Sequence, residues 1–273
     1  MELIVDARRA YAYTGGKALD PARPTVAFVH GAQHDHSVWI LQSRYLAHHG
    51  FDVLAFDLPG HGRSDGAALP DVESIAAWVL AALAAAGVER AHLVGHSMGS
   101  LVALEAAGQA PGRIASVALV GCAFPMRVSE ALLTAARDDE PRAIAMINAW
   151  SHATLAHAPG CPGPGFSVVN QNLRLMQRQA PGTLLVDFTA CDAYARGLER
   201  AAALECPALY VLGARDQMTP PKAARALIEA TRDARVVEVP GCGHALMAER
   251  PDAVLQALRG FLAEQARSAP AAR

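Results

Sequence analysis

A serine stands at position 97 inside Gly95-His96-Ser97-Met98-Gly99, directly after the apolar Leu93-Val94 and directly before Ser100–Gln109. The pattern G-x-S-x-G between a strand and a helix marks a tight turn that lifts a serine hydroxyl above a sheet edge. Such a turn is strained, and its glycines relieve crowding against the strand and the helix. The first turn of the following helix leaves backbone N–H groups free to face a developing negative charge. The chemistry this predicts is attack by the Ser97 hydroxyl on a carbonyl carbon.

A serine hydroxyl is a poor nucleophile at neutral pH, so it needs a base, and the base needs an orienting acid. His244 is the best base, in the glycine-rich run Pro240-Gly241-Cys242-Gly243-His244 that follows the last strand signal. His48 and His49 end a helix and His92 starts a strand, so they are worse placed; His30, His61 and His96 read as supporting or structural. The acid is read as Asp216, in Leu212-Gly213-Ala214-Arg215-Asp216, again just past a buried strand. The competing position after Ser116–Val120 reads Gly121-Cys122-Ala123 and offers no acid. An oxyanion hole needs two donors. One is expected at the Met98 N–H; the other comes from His30-Gly31-Ala32-Gln33, with Ala32 preferred and Gln33 as the alternative.

These residues require a scaffold that brings distant loops to one edge. Short apolar runs at Thr25–His30, Phe51–Phe56, His92–Gly95, Ser116–Val120, Ala208–Leu212 and Val236–Val239 suit strands buried on both faces of a parallel sheet. Glu2–Asp6 and Arg9–Tyr13 suit an opening hairpin. Helical patterns intervene at Val38–His48, Val72–Ala86, Ser100–Gln109, Pro221–Ala230 and Pro251–Arg267. Repeated strand–helix units predict an α/β fold with a mostly parallel central sheet flanked by helices. Between about Pro125 and Arg200 the rhythm breaks into helical stretches at Glu130–Arg137, Arg142–His152 and Val168–Gln179, with a proline- and glycine-rich loop at Ala158–Phe166. We expect a core of residues 1–124 and 201–273 with a small helical cap, 125–200, inserted over the carboxyl edge of the sheet, and a disordered tail at Ser268–Arg273.

Composition narrows the classes. With 273 residues and 52% hydrophobic residues the chain can bury a large core. A net charge of −2 without a dense Lys/Arg run excludes nucleic acid or an anionic membrane as the expected partner and leaves a small-molecule substrate. Five cysteines at wide spacings, with no C-x-x-C, read as small buried hydrophobes in a reducing compartment. Met1–Asp6 lacks the basic start and apolar run of a signal peptide, and the longest apolar stretch, Ile75–Val88, is too short to span a bilayer. A cytoplasmic protein is the expectation; oligomeric state is not legible.

Four features match, in order, the capped α/β-hydrolase superfamily: His30-Gly31 followed by Trp39; Asp57-Leu-Pro-Gly60-His-Gly62-Arg-Ser64; the turn around Ser97; and Gly213-x-x-Asp216 with Gly243-His244. The chain resembles its esterases, haloperoxidase-like enzymes and C–C-bond hydrolases. The order Ser97, Asp216, His244 is the order of that fold. Dehalogenases and epoxide hydrolases of the superfamily carry an aspartate where this chain has Ser97, so the resemblance implies acyl chemistry without a cofactor: a carboxylesterase first, then thioester, lactone or C–C hydrolysis. A slow-turnover ligand receptor on the same scaffold is the alternative class. Specificity would lie in the cap, with Phe124, Met126, Met146, Trp150 and Met176 as candidate pocket residues, or cap-to-core packing, and Asn148, His152 and His157 as possible polar contacts. Gly60–Ser64 lacks the Lys-Ser/Thr ending of a phosphate loop and reads as a tight turn. His34-Asp35-His36 lacks matching distant ligands, so no metal is expected.

Overall fold

The computed structural model describes residues 1–153 and 167–268. The expected loop Ala158–Phe166, His157, Cys161 and the tail beyond Ser268 lie outside these residues. Eight strands form one sheet: β1 (Glu2–Val5), β2 (Arg8–Tyr13), β3 (Thr25–Val29), β4 (Asp52–Asp57), β5 (Ala91–His96), β6 (Ile114–Val120), β7 (Ala208–Gly213) and β8 (Ala234–Val239). Their order across the sheet is β1-β2-β4-β3-β5-β6-β7-β8. The opening hairpin is antiparallel, and β2 joins β4 antiparallel; from β4 to β8 every pairing is parallel.

Every residue of β3, β4, β5 and β7 is buried, as apolar runs without alternation require. Successive side chains point to opposite faces. Ala27, Leu54, Leu93 and Tyr210 therefore pack with α2 (Val72–Ala85) and α3 (Met98–Gln109) on one side. Val26, Val53, Val94 and Leu209 face the other side, with Leu46 of α1 (Ile40–Ala47) and Leu258 and Phe261 of the last helix, Pro251–Ser268. One expectation fails at the edge. β8 has Val236 48% exposed and only Val239 fully buried, because an edge strand has a neighbour on one side only.

Among the described residues the chain between β6 and β7 is helical: α4 (Glu130–Asp138), α5 (Glu140–Trp150), α6 (Val168–Gln177), α7 (Thr183–Ala193) and α8 (Gly197–Ala202). Leu132, Ile144, Ile147, Met176, Leu184 and Phe188 give this insertion its own apolar cluster. Ala32 and Met218, from two loops at the carboxyl edge of the sheet, pack against that cluster. α9 (Arg225–Ala230), α10 (Leu246–Glu249) and α11 (Pro251–Ser268) complete the chain. α7 carries no clear start signal: it opens on Gly182 in a left-handed conformation without a side-chain cap. Among the described residues no helix is long and apolar enough to cross a membrane. Cys122, Cys191 and Cys242 are buried free thiols, and Cys206 is half-buried.

Candidate active site

The parallel strands β5 to β8 end at one edge, so the loops after them meet. Ser97 follows β5, and its N–H donates to Val120 O at the end of β6 (2.9 Å). The Gly121 N–H donates to Val211 O of β7 (2.9 Å), and the Ala214 N–H to Val239 O of β8 (3.1 Å). This ladder of crossings carries the Ser97, Asp216 and His244 loops to a common rim.

At Ser97 the backbone has φ 52° and ψ −118°, outside the regions open to most L-residues. A conformation of this kind costs on the order of 1–3 kcal/mol and persists only when its surroundings impose it. Here the surroundings are the tight approach of α3 to the sheet: a Cβ on Gly99 would collide with the Val29 and His30 carbonyls. Met98 opens α3, so its N–H has no partner within the helix.

The His244 Nδ1 donates to Asp216 Oδ2 at 2.7 Å. Asp216 is 4% exposed and otherwise fully occupied: Oδ1 accepts the Met218 and Thr219 N–H groups, each at 2.8 Å, and Oδ2 also accepts the Thr219 hydroxyl at 2.7 Å. Burial pushes this carboxyl up, but the facing His244 and the bonds from His244 and Thr219 outweigh burial and hold it below its ordinary value. The carboxylate is thus charged and fixed, and the proton of His244 is directed to Nδ1. The position after β6, free of an acid in the sequence, faces the same ring. Gly121 has φ 58°, and a Cβ there would lie 3.3 Å from His244 Cε1 and Nδ1.

His96 lies against His244. Its Nε2 donates to His244 O at 2.9 Å, and its ring is 4.7 Å from the His244 ring. Burial, then the neighbouring His244 and His34, lower its pKa well below the usual value, so it stays neutral beside His244. His30 is likewise fixed: Nδ1 donates to Gly31 O (2.8 Å) and Nε2 accepts the Leu58 N–H (3.2 Å), with burial and then His61 lowering its pKa to about 4.

The turn after β3 lies against Ser97, since a Cβ on Gly31 would sit 3.2 Å from Ser97 Cβ. Of its two candidate donors, the Gln33 N–H is occupied by Asp187 Oδ2 at 2.8 Å. The carbonyl of Gly31 is held by His30 Nδ1 and by the His34 N–H (3.3 Å). In a trans peptide the N–H points opposite the carbonyl, so the Ala32 N–H is turned away from those partners.

The five apolar pocket candidates are scattered. Phe124 packs on Gly197 and Tyr194, and Met126 is buried in the sheet-side core. Met176 is buried in the helical cluster with Met146 beside it, whereas Trp150 is 37% exposed at the end of α5. Asn148 donates to Val169 O (3.1 Å) and accepts from Asn172 (2.9 Å); His152 Nδ1 donates to Asn148 O (2.8 Å). Asp35, His36 and Asp57 cluster closely enough to suggest cation ligands. Their carboxylate oxygens are already taken by N–H donors of Ser37, His36, Arg63, Arg178 and Gln179.

Three residues near the site escaped the sequence reading. Thr219 buttresses Asp216; Asp187 binds the turn after β3. Glu249 bridges two N–H groups, those of Gly243 and Ala153, each at 3.0 Å, and so ties the His244 loop to the insertion. Only the three-residue spacing of Thr219 from Asp216 offered a local signal.

Residues 24–251 match the family model described as alpha/beta hydrolase fold. The chain is 30% identical over 253 residues to the dihydrolipoyllysine-residue acetyltransferase component of the acetoin cleaving system of Pseudomonas putida. That match covers 87% of this chain and 63% of the relative, so the chain spans less than two thirds of the relative's length. It is 30% identical over 250 residues to the pimeloyl-[acyl-carrier protein] methyl ester esterase of Chromobacterium violaceum, covering 89% of this chain and 96% of that one. Among solved structures, the enol-lactonase from Burkholderia xenovorans LB400 superposes with a TM-score of 0.84 at 25% identity, covering 96% of this chain and 100% of that one.

Proposed function

Since the chain belongs to the α/β-hydrolase fold family, we propose that it is a serine hydrolase that cleaves a small or medium ester through an acyl-enzyme, as a carboxylesterase. The observation that carries this reading is the buried His244–Asp216 pair, 2.7 Å apart, at the same sheet edge as a strained Ser97. His244 takes the Ser97 proton as the oxygen attacks the carbonyl carbon. The Met98 and Ala32 N–H groups stabilise the oxyanion. Protonated His244 gives its proton to the leaving alcohol, and water activated by His244 then releases the acid. Asp216 keeps the proton of neutral His244 on Nδ1, which leaves Nε2 free to accept, and stabilises the imidazolium that forms. Neutral His96 adds no like charge beside it.

Residues 125–200 act as the cap in this reading, and its apolar cluster favours an apolar acyl group. Phe124, Met126, Met146, Trp150 and Met176 remain the proposed pocket set, with Met146 and Met176 the two that share that cluster. A lactone is the second substrate to test, because the superposed enol-lactonase opens a cyclic ester by its name and the same acyl chemistry serves both. Ser97→Ala should abolish p-nitrophenyl ester turnover and fluorophosphonate labelling while the circular dichroism spectrum is unchanged. Retained turnover would remove Ser97 from the mechanism. A panel of esters, thioesters, lactones and vinylogous diketones would rank the substrate classes.

A further inference from the structure

The Ala32–Gln33 peptide is gripped at both ends. Its carbonyl accepts His34 Nδ1 at 2.7 Å, and its N–H donates to Asp187 Oδ2 at 2.8 Å. Gln33 has φ 58°, a left-handed conformation uncommon for such a residue, so the turn needs an external hold. Asp187 supplies it from α7, 154 positions along the chain, and is 1% exposed.

The same oxygen, Asp187 Oδ2, lies 2.9 Å from His61 Nε2, while His61 Nδ1 lies 3.0 Å from Pro59 O. Both ring nitrogens of His61 therefore face acceptors. A neutral imidazole would turn a lone pair toward one of them, so the arrangement is satisfied by the doubly protonated ring. His61 is 3% exposed and is faced by Asp187 from the insertion, by the His30 ring at 4.7 Å from the end of β3, and by Asp57 from β4. His30 is neutral, as argued above, and Asp57 is already bonded to His36 and Arg63. On Asp187's own helix the neighbouring titratable group is Cys191, a buried thiol held neutral because burial raises its pKa. Asp187 is thus the carboxylate that balances His61. Burial opposes the charge of His61, but the charge and hydrogen bond of Asp187, joined by the Pro59 carbonyl and Asp57, outweigh it and leave the pKa above its ordinary value.

We propose that Asp187, paired with His61, is a positioning residue that lets the insertion hold the turn after β3 with the Ala32 N–H, and not that of Gln33, available to the oxyanion. The inference rests on the acyl-transfer reading. It makes the oxyanion hole a joint product of core and insertion. It also gives the hole an alkaline limit: once His61 loses a proton, a lone pair faces either Asp187 or Pro59 O, and the clamp loosens.

The test compares Asp187→Ala with Asp187→Asn on a p-nitrophenyl ester across pH, with melting temperatures recorded. Asp187→Ala should lower kcat roughly 100-fold, the scale of a misplaced catalytic group, with KM changed less than about threefold. Asp187→Asn should recover kcat to within about tenfold of wild type, because its amide oxygen still accepts the Gln33 N–H. That oxygen also faces His61 Nε2, and without the carboxylate charge His61 loses its proton at lower pH, so the alkaline fall of kcat expected of wild type should move to lower pH. Should Asp187→Ala not fold, the pH profile of Asp187→Asn decides alone. Wild-type kcat in Asp187→Ala, or an unchanged alkaline fall in Asp187→Asn, would overturn the proposal. Ser97→Ala, run in parallel, separates the two readings: if it retains turnover, the acyl-transfer reading fails and takes this one with it. Ser97-dependent turnover that is indifferent to Asp187 sinks only the clamp.

Discussion

Replacing Asp216 by Asn should lower kcat by about four orders of magnitude while the fold survives. The side chains have the same shape, so the effect comes from which atom faces which donor. Oδ1 of Asp216 meets two backbone N–H groups, Met218 and Thr219, at 2.8 Å each. Backbone donors in that turn cannot reverse, so the amide oxygen of Asn must occupy this side. Its NH2 group then replaces Oδ2, 2.7 Å from His244 Nδ1. Two donors cannot share that contact, so Nδ1 must become the acceptor and the proton moves to Nε2. The Thr219 hydroxyl, now against a donor, can rotate and accept. A His244 protonated on Nε2 has no lone pair for the Ser97 proton, and the loss expected for a wrong tautomer is about 10⁴-fold, or roughly 5 kcal/mol in the barrier. The assay is steady-state hydrolysis of p-nitrophenyl acetate near neutral pH, with near-ultraviolet circular dichroism as the fold control. A kcat within tenfold of wild type would refute the tautomer argument and require another group to orient His244.

Three further outcomes follow from the same geometry. The Asp216 pKa is held below its unfolded value of about 3.9; its contribution to stability is therefore present above that pH and is lost as pH falls through the folded pKa. Wild type should thus lose more melting temperature than Asp216→Asn on acidification from pH 5 to pH 3, and parallel curves would contradict it. Gly121→Ala forces a Cβ against the His244 ring at φ 58°; a cost of about 1–3 kcal/mol should lower the melting temperature by several degrees and kcat by at least tenfold, and an unaffected enzyme would show that the ring can move away. Glu249→Gln leaves one of the Gly243 and Ala153 N–H groups facing an NH2 group; we expect about 1–3 kcal/mol of lost stability by urea titration and a lower kcat, whereas a neutral substitution would mean that the His244 loop holds its place without the insertion.

Much of the scaffold was legible because its signals are local. Continuous apolar runs mark strands covered on both faces, and β3, β4, β5 and β7 are buried throughout. The turn at Ser97 carries its own glycines, and the positions of Asp216 and His244 just past strands place them at the carboxyl edge whatever the details. Exposure of β8 was not legible, since an edge strand and a central one share the same residue types. Nor was α7, whose start on Gly182 lacks a capping side chain. The residues after β3 offered two N–H groups that the sequence could not separate. That choice depends on where each donor finds an acceptor, and the acceptor of the Gln33 N–H is Asp187, 154 residues away.

The same limit applies to charge. The sequence by itself determined that Ser97, Asp216 and His244 would stand in loops just past apolar strands, because strand and loop positions follow from patterns a few residues long. Only the tertiary structure decided that His61 faces two acceptors, that His96 stays neutral, and that Thr219, Glu249 and Asp187 hold the loops in place. Hydrogen-bond allocation and protonation depend on partners brought from distant parts of the chain, and the folded packing alone selects those partners.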